Sequence, residues 1–422
     1  MFKNQKFIHR LIYALLLLYQ TVFICVYNNR NNQISNVATT VSEKPVMNFG
    51  FVKLELFDLL VLVSLIFVII YFKELKKQPR GNKSIIYVIM IYIFYQIIFI
   101  FPLSNIYNID TINNLSKIII YRFYFILVPI FVAFFFPTLK NDSTVIKWVC
   151  FSTIFLIIAG IINYRIQNIW VTNTGESRLL WGGAAIIFGF VFFVNYFVEK
   201  RKLINYLYIL VAIIGFIFTN HRSAYVYFFI VFAIGVWFEY KGIQKLKPLL
   251  FALLFSGSFV VILAQNEFLW NSFTKRLSQT NTSDDNAQDR FTRWGLAFDY
   301  FLEHPVNGSL LSLQYYTQGT LQKSEFENYP PHNFIFEILS TQGIIGFAMI
   351  MFIIIKTLAI GFKNRSDKIS YQMFLVLLFY CLDASFNAVF YSKWTTLILV
   401  LAISLILYRN KILHSHENSL VH

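Results

Sequence analysis

Charge is scarce in this chain. Only 14% of its 422 residues are Asp, Glu, Lys or Arg, against roughly 25% in an ordinary soluble domain. So little polar surface cannot cover a water-soluble fold, and a soluble enzyme is excluded. Cysteine is scarcer still. Cys25, Cys150 and Cys381 each lie within or at the end of an apolar stretch, which excludes a disulfide scaffold. No glycine-rich phosphate loop, Cys/His metal spacing or serine-nucleophile motif occurs. His414 and His416 read as a solvated tail, and Asp284, Asp285 and Asp289 as a solvated acidic loop rather than a cation site.

What is present is apolar: 57% of the residues are hydrophobic, which excludes disorder. Spans of ~20 apolar residues are expected at 11–27, 54–72, 85–103, 117–136, 145–162, 179–198, 203–219, 223–239, 248–264, 344–361, 370–391 and 394–408. No small-residue cleavage site follows the first, so it reads as a span and not a cleavable signal. The net charge of +15 could mean nucleic acid. Its distribution points instead to inner loops of a membrane protein. With Lys3, Lys6 and Arg10 inside, and with Lys147 and Lys356 of the adjoining spans counted on that side, the inner side carries 22 of the 36 Lys and Arg, and the outer segments 12. The expected fold is an all-α polytopic membrane protein of about twelve transmembrane helices. Both termini are inside, and one large outer loop carries interfacial helices. The chain then divides into helices 1–9 over 1–264, an outer loop with the motif residues over 265–343, helices 10–12 over 344–409, and a tail over 410–422.

Within the outer loop, Asp289 is a candidate N-cap. Phe291, Trp294, Phe298, Phe301 and Leu302 follow at helical spacing, and Pro305 ends the run. This helix lies either at the membrane interface or packed on top of the bundle. Ionisable groups inside spans mark function by default. Asp58, Arg122 and Asp383 fall within spans, all in the outer halves. Glu55, Arg165, Arg178, His221, Arg222 and His332 cluster at the same level. A transport path needs polar groups at both depths; this one-sided set points to a site at the outer interface.

Two local signals sharpen it. Tyr329-Pro330-Pro331 stiffens the approach to His332. Asn333 is a good N-cap for the helix that follows, and Gly343 is expected to break that helix into a short piece and a true span. A histidine at a helix N-terminus is favoured as neutral imidazole, which suits a general base, while the same end attracts anions. In Thr219-Asn220-His221-Arg222-Ser223, Arg222 opens a span from a tight outer turn. Arginine offers phosphate oxygens a bidentate contact that lysine does not.

Arg222, Arg290 with Trp294, His304-Pro305-Val306-Asn307-Gly308, His332-Asn333, Glu337 and Gly343-Ile344-Ile345-Gly346 together resemble the O-antigen polymerase and O-antigen ligase superfamily of bacterial envelope enzymes. The similarity covers the whole topology, with motifs from about 219 to 361. Gly308-Ser309 departs from the Gly-x-Gly of relatives. The resemblance implies metal-independent, cofactor-free glycosyl transfer at the periplasmic face of the bacterial cytoplasmic membrane. It implies an undecaprenyl-pyrophosphate-linked glycan as donor and a glycan or lipid-linked acceptor. Membrane lipids and a chain-length regulator would be partners, and nucleic acid would not. It makes Arg222, Arg290 and His332 the expected catalytic residues. Arg122, Arg178, Arg293, Asn333, Glu337 and Asp383 are the expected substrate contacts.

Three functions compete. A polysaccharide polymerase for O-antigen, capsule or exopolysaccharide is favoured by the Tyr-Pro-Pro-His-Asn run and Glu337. A ligase would move the finished glycan to lipid A core or another acceptor by the same chemistry. A lipid-linked oligosaccharide flippase would want polar groups through the whole depth and has no use for a positioned histidine in a large outer loop.

Overall fold

The computed structural model describes residues 23–30, 33–40, 45–48, 53–55, 64–66, 68, 72–104, 123–139, 143–167, 183–219, 221–248, 250, 285–308, 331, 333–386 and 393–420. The expected span at 248–264 lies almost wholly outside them. Apart from two short hairpins, every extended regular element among the described residues is helical.

The hairpins touch only the ends of the expected first two spans, at 23–27 and 54–55; residues 11–22 lie outside the described residues, and 64–66, 68 and 72 are helical. Strand β1 (Phe23–Arg30) pairs antiparallel with β2 (Gln33–Thr40), and β3 (Pro45–Asn48) with β4 (Lys53–Glu55). Strand β1 begins Phe-Ile-Cys-Val-Tyr. A short β-branched and aromatic run of this kind suits a strand as well as a helix, and periodicity alone does not separate the two.

The helices follow the other apolar stretches closely. They are α1 (Arg80–Ser104), α2 (Ser143–Gln167), α3 (Ala184–Tyr196), α4 (Leu203–Thr219), α5 (Arg222–Glu239), α6 (Asp285–Glu303), α7 (Phe334–Lys363), α8 (Lys368–Ala384) and α9 (Lys393–Leu420). Between α1 and α2, residues 124–138 form a helix of mixed 3-10, α and π turns around Pro129 and Pro137, where the missing N–H groups disturb the regular ladder. Among the described residues three helices are long and apolar enough to cross a membrane: Arg80–Ile98, Phe334–Lys363 and Thr395–Ser415. Helices α3, α4 and α5 are apolar but shorter.

Helix α3 is the centre. Every one of its residues is buried, as a helix that is apolar all round must be. It packs against α4, α8 and α9. The contact is aromatic: Phe193 meets Phe228 of α5 at 5.6 Å and Phe379 of α8 at 5.9 Å. Gly189 and Gly215 make room for it, since a Cβ at either position would fall 2.4 Å from the Phe379 ring or 2.2 Å from the Phe188 ring.

One end of the bundle is tied by polar groups. Asp367 caps α8, accepting from the Ser370 N–H at 2.9 Å, and forms an ion pair with Arg409 of α9. Asn364 donates to Asn410 at 2.9 Å, Asn410 to Asn82 at 2.8 Å, and Asn82 to the Leu407 carbonyl at 2.7 Å. Lys368 pairs with Glu239, joining α8 to the end of α5. Burial pushes the Asp367 carboxyl up, but the hydrogen bonds from Arg409 and the Ser370 N–H outweigh it and hold the group below its ordinary value.

A carboxyl with a depressed folded pKa contributes stability that is fully present above its unfolded value. That contribution is lost as pH falls through the folded value. The thermal midpoint of the purified protein should therefore drop below about pH 4, and Asp367→Asn should be less stable at pH 7 and flatten that acid limb. A pH series of melting curves for both proteins checks it; parallel curves would remove Asp367 from the account.

Candidate functional site

At the opposite end of the bundle the sequence motifs come together. Asn333 caps α7 as expected: its side-chain oxygen accepts from the Ile335 N–H at 2.9 Å and the Phe336 N–H at 3.4 Å. Glu337 follows in the first turn, half-buried, where a carboxylate complements the positive helix end. Its backbone carbonyl accepts from the Thr341 and Ser340 hydroxyls at 2.6 and 3.1 Å.

Helix α7 breaks at Gly343, also as expected (φ 62°, ψ −168°). The break strands backbone groups, and the loop after α6 takes them up. Ile344 N–H donates to the Pro305 carbonyl at 2.9 Å and Ile345 N–H to the Val306 carbonyl at 3.4 Å. The two backbones meet with no side chain between them. A Cβ on Gly308 would lie 2.3 Å from the Gln342 nitrogen, and one on Gly343 would lie 2.3 Å from the Val306 oxygen. Gly308 also has positive φ (70°). The His-Pro-x-x-Gly and Gly-x-x-Gly elements are thus two halves of one lock. Its third member is α1: Tyr95 donates to the Gln342 carbonyl at 3.1 Å, and Tyr92 and Gln96 donate to the Gln342 side-chain oxygen at 2.8 and 3.0 Å. Gly346 leaves the space that the Gln342 side chain fills. Sequence reasoning missed these α1 residues, although Tyr92, Tyr95 and Gln96 stand at i, i+3 and i+4 on one face of an expected span, a polar stripe that could have been noticed.

Helix α6 starts at Asp285, four residues before the expected cap at Asp289, and ends at Glu303 ahead of Pro305. The early start is physically reasonable: Asp285 and Asn286 suit a first turn, and Ala287 and Gln288 propagate a helix. The helix packs on the bundle by one face and leaves another exposed. Arg293, Ala297 and Tyr300 form a buried face toward the bundle, while Phe291, Phe298 and Leu302 are 54%, 44% and 58% exposed on another.

Trp294 ties α6 to the approach of α7. Its indole N–H donates to the Pro331 carbonyl at 2.7 Å, and its ring stacks on Phe336 at 5.6 Å. Phe386, just beyond α8, meets Trp294 at 6.0 Å and stacks on Tyr227 of α5 at 5.6 Å. One aromatic cluster therefore joins α5, α6, α7 and the end of α8.

Around it stand the expected site residues. Arg290 is half-buried and Arg293 is buried, one helical turn apart on α6. Asp383 is fully buried in the last turn of α8, and Asp383 and Arg290 both act electrostatically on the Tyr227 hydroxyl. Trp294, named with Arg290 in the family motif, joins them, and Tyr227 is a further member that sequence reasoning missed. Arg222 is the first residue of α5, and His221 before it meets the Ser223 hydroxyl at 3.2 Å. His332 lies outside the described residues, as do Asp58, Arg122 and Arg178, although Pro331 and Asn333 bracket His332 directly. The structure brings the Arg222 position, Arg290, Arg293, Asn333, Glu337 and Asp383 to the same end of the bundle.

Two arginines from one helix and a capped helix N-terminus are groups suited to an anion, while the Asp383 and Glu337 carboxylates at the same end are suited to donors such as sugar hydroxyls. Residues 207–351 match the model of the O-antigen ligase family. The match runs from α4 through the break in α7 and supports placing the chain in the O-antigen polymerase and ligase superfamily. The match points to a function of the ligase or polymerase type, and three of the described helices are long and apolar enough to cross a membrane. No curated protein matches the chain.

The lock makes a sharp prediction. Gly308→Ala and Gly343→Ala each force a Cβ into backbone at positive φ and should lower stability by about 1–3 kcal/mol. Gly295→Ala, on the exposed side of α6 with open space around its Cβ, should be neutral or stabilising by up to ~1 kcal/mol. Denaturation of the three variants in one detergent checks the contrast, and equal effects at all three positions would remove the lock.

Proposed function

We propose that the chain is a polysaccharide polymerase of the envelope. It transfers a glycan from undecaprenyl pyrophosphate to a sugar hydroxyl on a second lipid-linked unit, at the outer face of the cytoplasmic membrane. The observation that carries this reading is the convergence of α5, α6 and α7 on one aromatic cluster. It gathers Arg290 and Arg293, the Arg222 position and the residues bracketing His332 at one end.

The chemistry follows from the residue types. Arginines and the α7 N-terminus stabilise the pyrophosphate as negative charge grows on it, which supplies the needed positive charge without a metal. The acceptor oxygen attacks the anomeric carbon from the face opposite the leaving group. The bond from that carbon to the phosphate oxygen breaks, inverting the centre, and the acceptor proton passes to neutral His332. Val226, Phe229 and Ile230 follow Arg222 at i+4, i+7 and i+8 on α5 and are 57%, 40% and 44% exposed. They offer an apolar track for the polyprenyl chain. A ligase would use the same machinery with lipid A core as acceptor, and the match to the O-antigen ligase family supports that second reading. A chain-length regulator fits the polymerase.

The proposed topology keeps twelve spans with both termini in the cytoplasm. It is supported by the polar end opposite the site, which gathers Arg201, Lys241, Lys245, Arg365 and Lys368. Single-cysteine variants at 283 and 80 test it: reagent applied outside intact cells should label the first only. Labelling at 80 alone would invert the arrangement.

Arg222→Ala and Arg290→Ala should abolish polymer with the protein still in the membrane, and the lysine variants should recover little because the bidentate contact is lost. His332→Ala and His332→Gln should each lose about 10²–10⁴-fold in single-turnover transfer while retaining donor binding. Near-normal turnover of the glutamine variant would reduce His332 to an acceptor contact, and full activity of the lysine variants would reduce the arginines to generic charges.

A further inference from the structure

A cavity lies at the other end of the bundle, away from the proposed transfer site. It has a volume of about 470 Å³ and is lined by Tyr196, Arg201, Tyr206, Ile209, Tyr240 and Lys247, among others. These residues come from the end of α3, the turn into α4, α4 itself, and the segment after α5.

Arg201 is the organising group. Its Nε donates to the Tyr196 carbonyl at 2.9 Å and a terminal nitrogen donates to the Tyr240 hydroxyl at 2.9 Å. The guanidinium also lies over the Tyr196 ring, 4.2 Å from its centroid. Held from two sides and stacked, the fork is oriented before any ligand arrives, and a guanidinium has five N–H donors in all. Around it the segments 199–202 and 239–247 carry Lys200, Lys202, Lys241, Lys245 and Lys247 against Glu199 and Glu239, and Glu239 is already paired with Lys368. The mouth is therefore strongly positive.

The surroundings place this mouth beside lipid. Trp237 and Phe238, at the end of α5, are 65% and 47% exposed, and Lys245 lies over the Trp237 ring at 3.6 Å. Exposed aromatics with basic neighbours at a helix end mark the headgroup level of a bilayer. From the cavity, Tyr206, Leu210 and Ile213 continue along one face of α4, with Leu210 51% exposed. A ligand with its phosphate at Arg201 would thus find an apolar wall running away from the polar end.

We propose that this cavity binds the phosphate of an anionic lipid headgroup, with the acyl chains lying along α4. Arg201 takes the phosphate oxygens, Lys247 adds charge at the mouth, and the Tyr206 and Tyr240 hydroxyls are placed to bond the glycerol or phosphate oxygens. The site is separate from the glycan-transfer end and needs only that the helices sit in a bilayer.

The test uses the full chain, purified in a nonionic detergent and stripped of lipid, with short-chain phosphatidylglycerol as probe. Thermal midpoints are recorded across a lipid titration. Phosphatidylglycerol should raise the midpoint saturably. Arg201→Gln should weaken the apparent affinity roughly tenfold or more, as loss of a charge-assisted bidentate contact does. Lys247→Ala should weaken it roughly two- to fivefold, as loss of one partly screened charge does. Lys247 is exposed, so its variant decides the matter if Arg201→Gln does not fold. Unchanged affinity in the folded variants overturns the proposal. Equal affinity for short-chain phosphatidylcholine overturns the anionic headgroup, and equal affinity for inorganic phosphate overturns the lipid in favour of a simple phosphate site.

Discussion

Two stretches of bare backbone pressed together hold the site end of this protein in shape. At Gly343 the seventh helix leaves helical geometry, and two N–H groups that would have bonded within the helix are taken by carbonyls of the 305–306 loop. In a low-dielectric surrounding an unsatisfied backbone donor is expensive, so the break and the loop exist only as a pair. Neither glycine admits a Cβ. The same contact sets where α6 runs, because α6 enters the loop directly, and it sets the depth of Gln342, which α1 grips through Tyr92, Tyr95 and Gln96. The residues that carry the family resemblance outside the arginines and the histidine are, in large part, this lock.

From the lock, order passes to the functional side chains through Trp294. Its indole holds the Pro331 carbonyl, one residue before His332, while its ring is shared between Phe336 and Phe386. An indole serves both purposes because it combines a large apolar face with one directed donor. Arg290 and Arg293 ride on the same helix, four residues and one residue before the tryptophan. Any shift of α6 relative to α7 would therefore move the arginines and the Pro331 anchor together, keeping both arginines in step with the residue between Pro331 and Asn333.

The two ends of the bundle solve different problems. The site end is joined by aromatic contacts and backbone bonds. The opposite end is stitched by Asp367–Arg409, Lys368–Glu239 and a chain of asparagines, and its surplus of lysine and arginine faces outward. Charges that neutralise one another make a rigid end. Positive charge left unneutralised, as around Arg201, makes a binding surface.

Much of this was readable from residue order. The helices α1 to α5 and α7 to α9 follow from apolar runs, because helix burial depends on the hydrophobicity of the segment itself. Asn333 as a cap, the stop before Pro305 and the break at Gly343 follow from rules that act over a few residues. The strands at 23–55 did not follow, since a short β-branched run is compatible with either state until a partner strand is present. Nor could the sequence tell that the aromatic stripe of α6 would be divided between the protein and its surface. The sequence by itself determined the apolar helical elements, the resemblance to the O-antigen ligase family and the types of charged residue offered, all properties of local composition and motif. Only the tertiary structure decided that Gly308 meets Gly343, that Trp294 holds Pro331 and that Arg201 is held between two tyrosines. Those contacts join residues 35, 37 and 39 positions apart or sit where three helices meet, and no local rule specifies which backbones will come within reach.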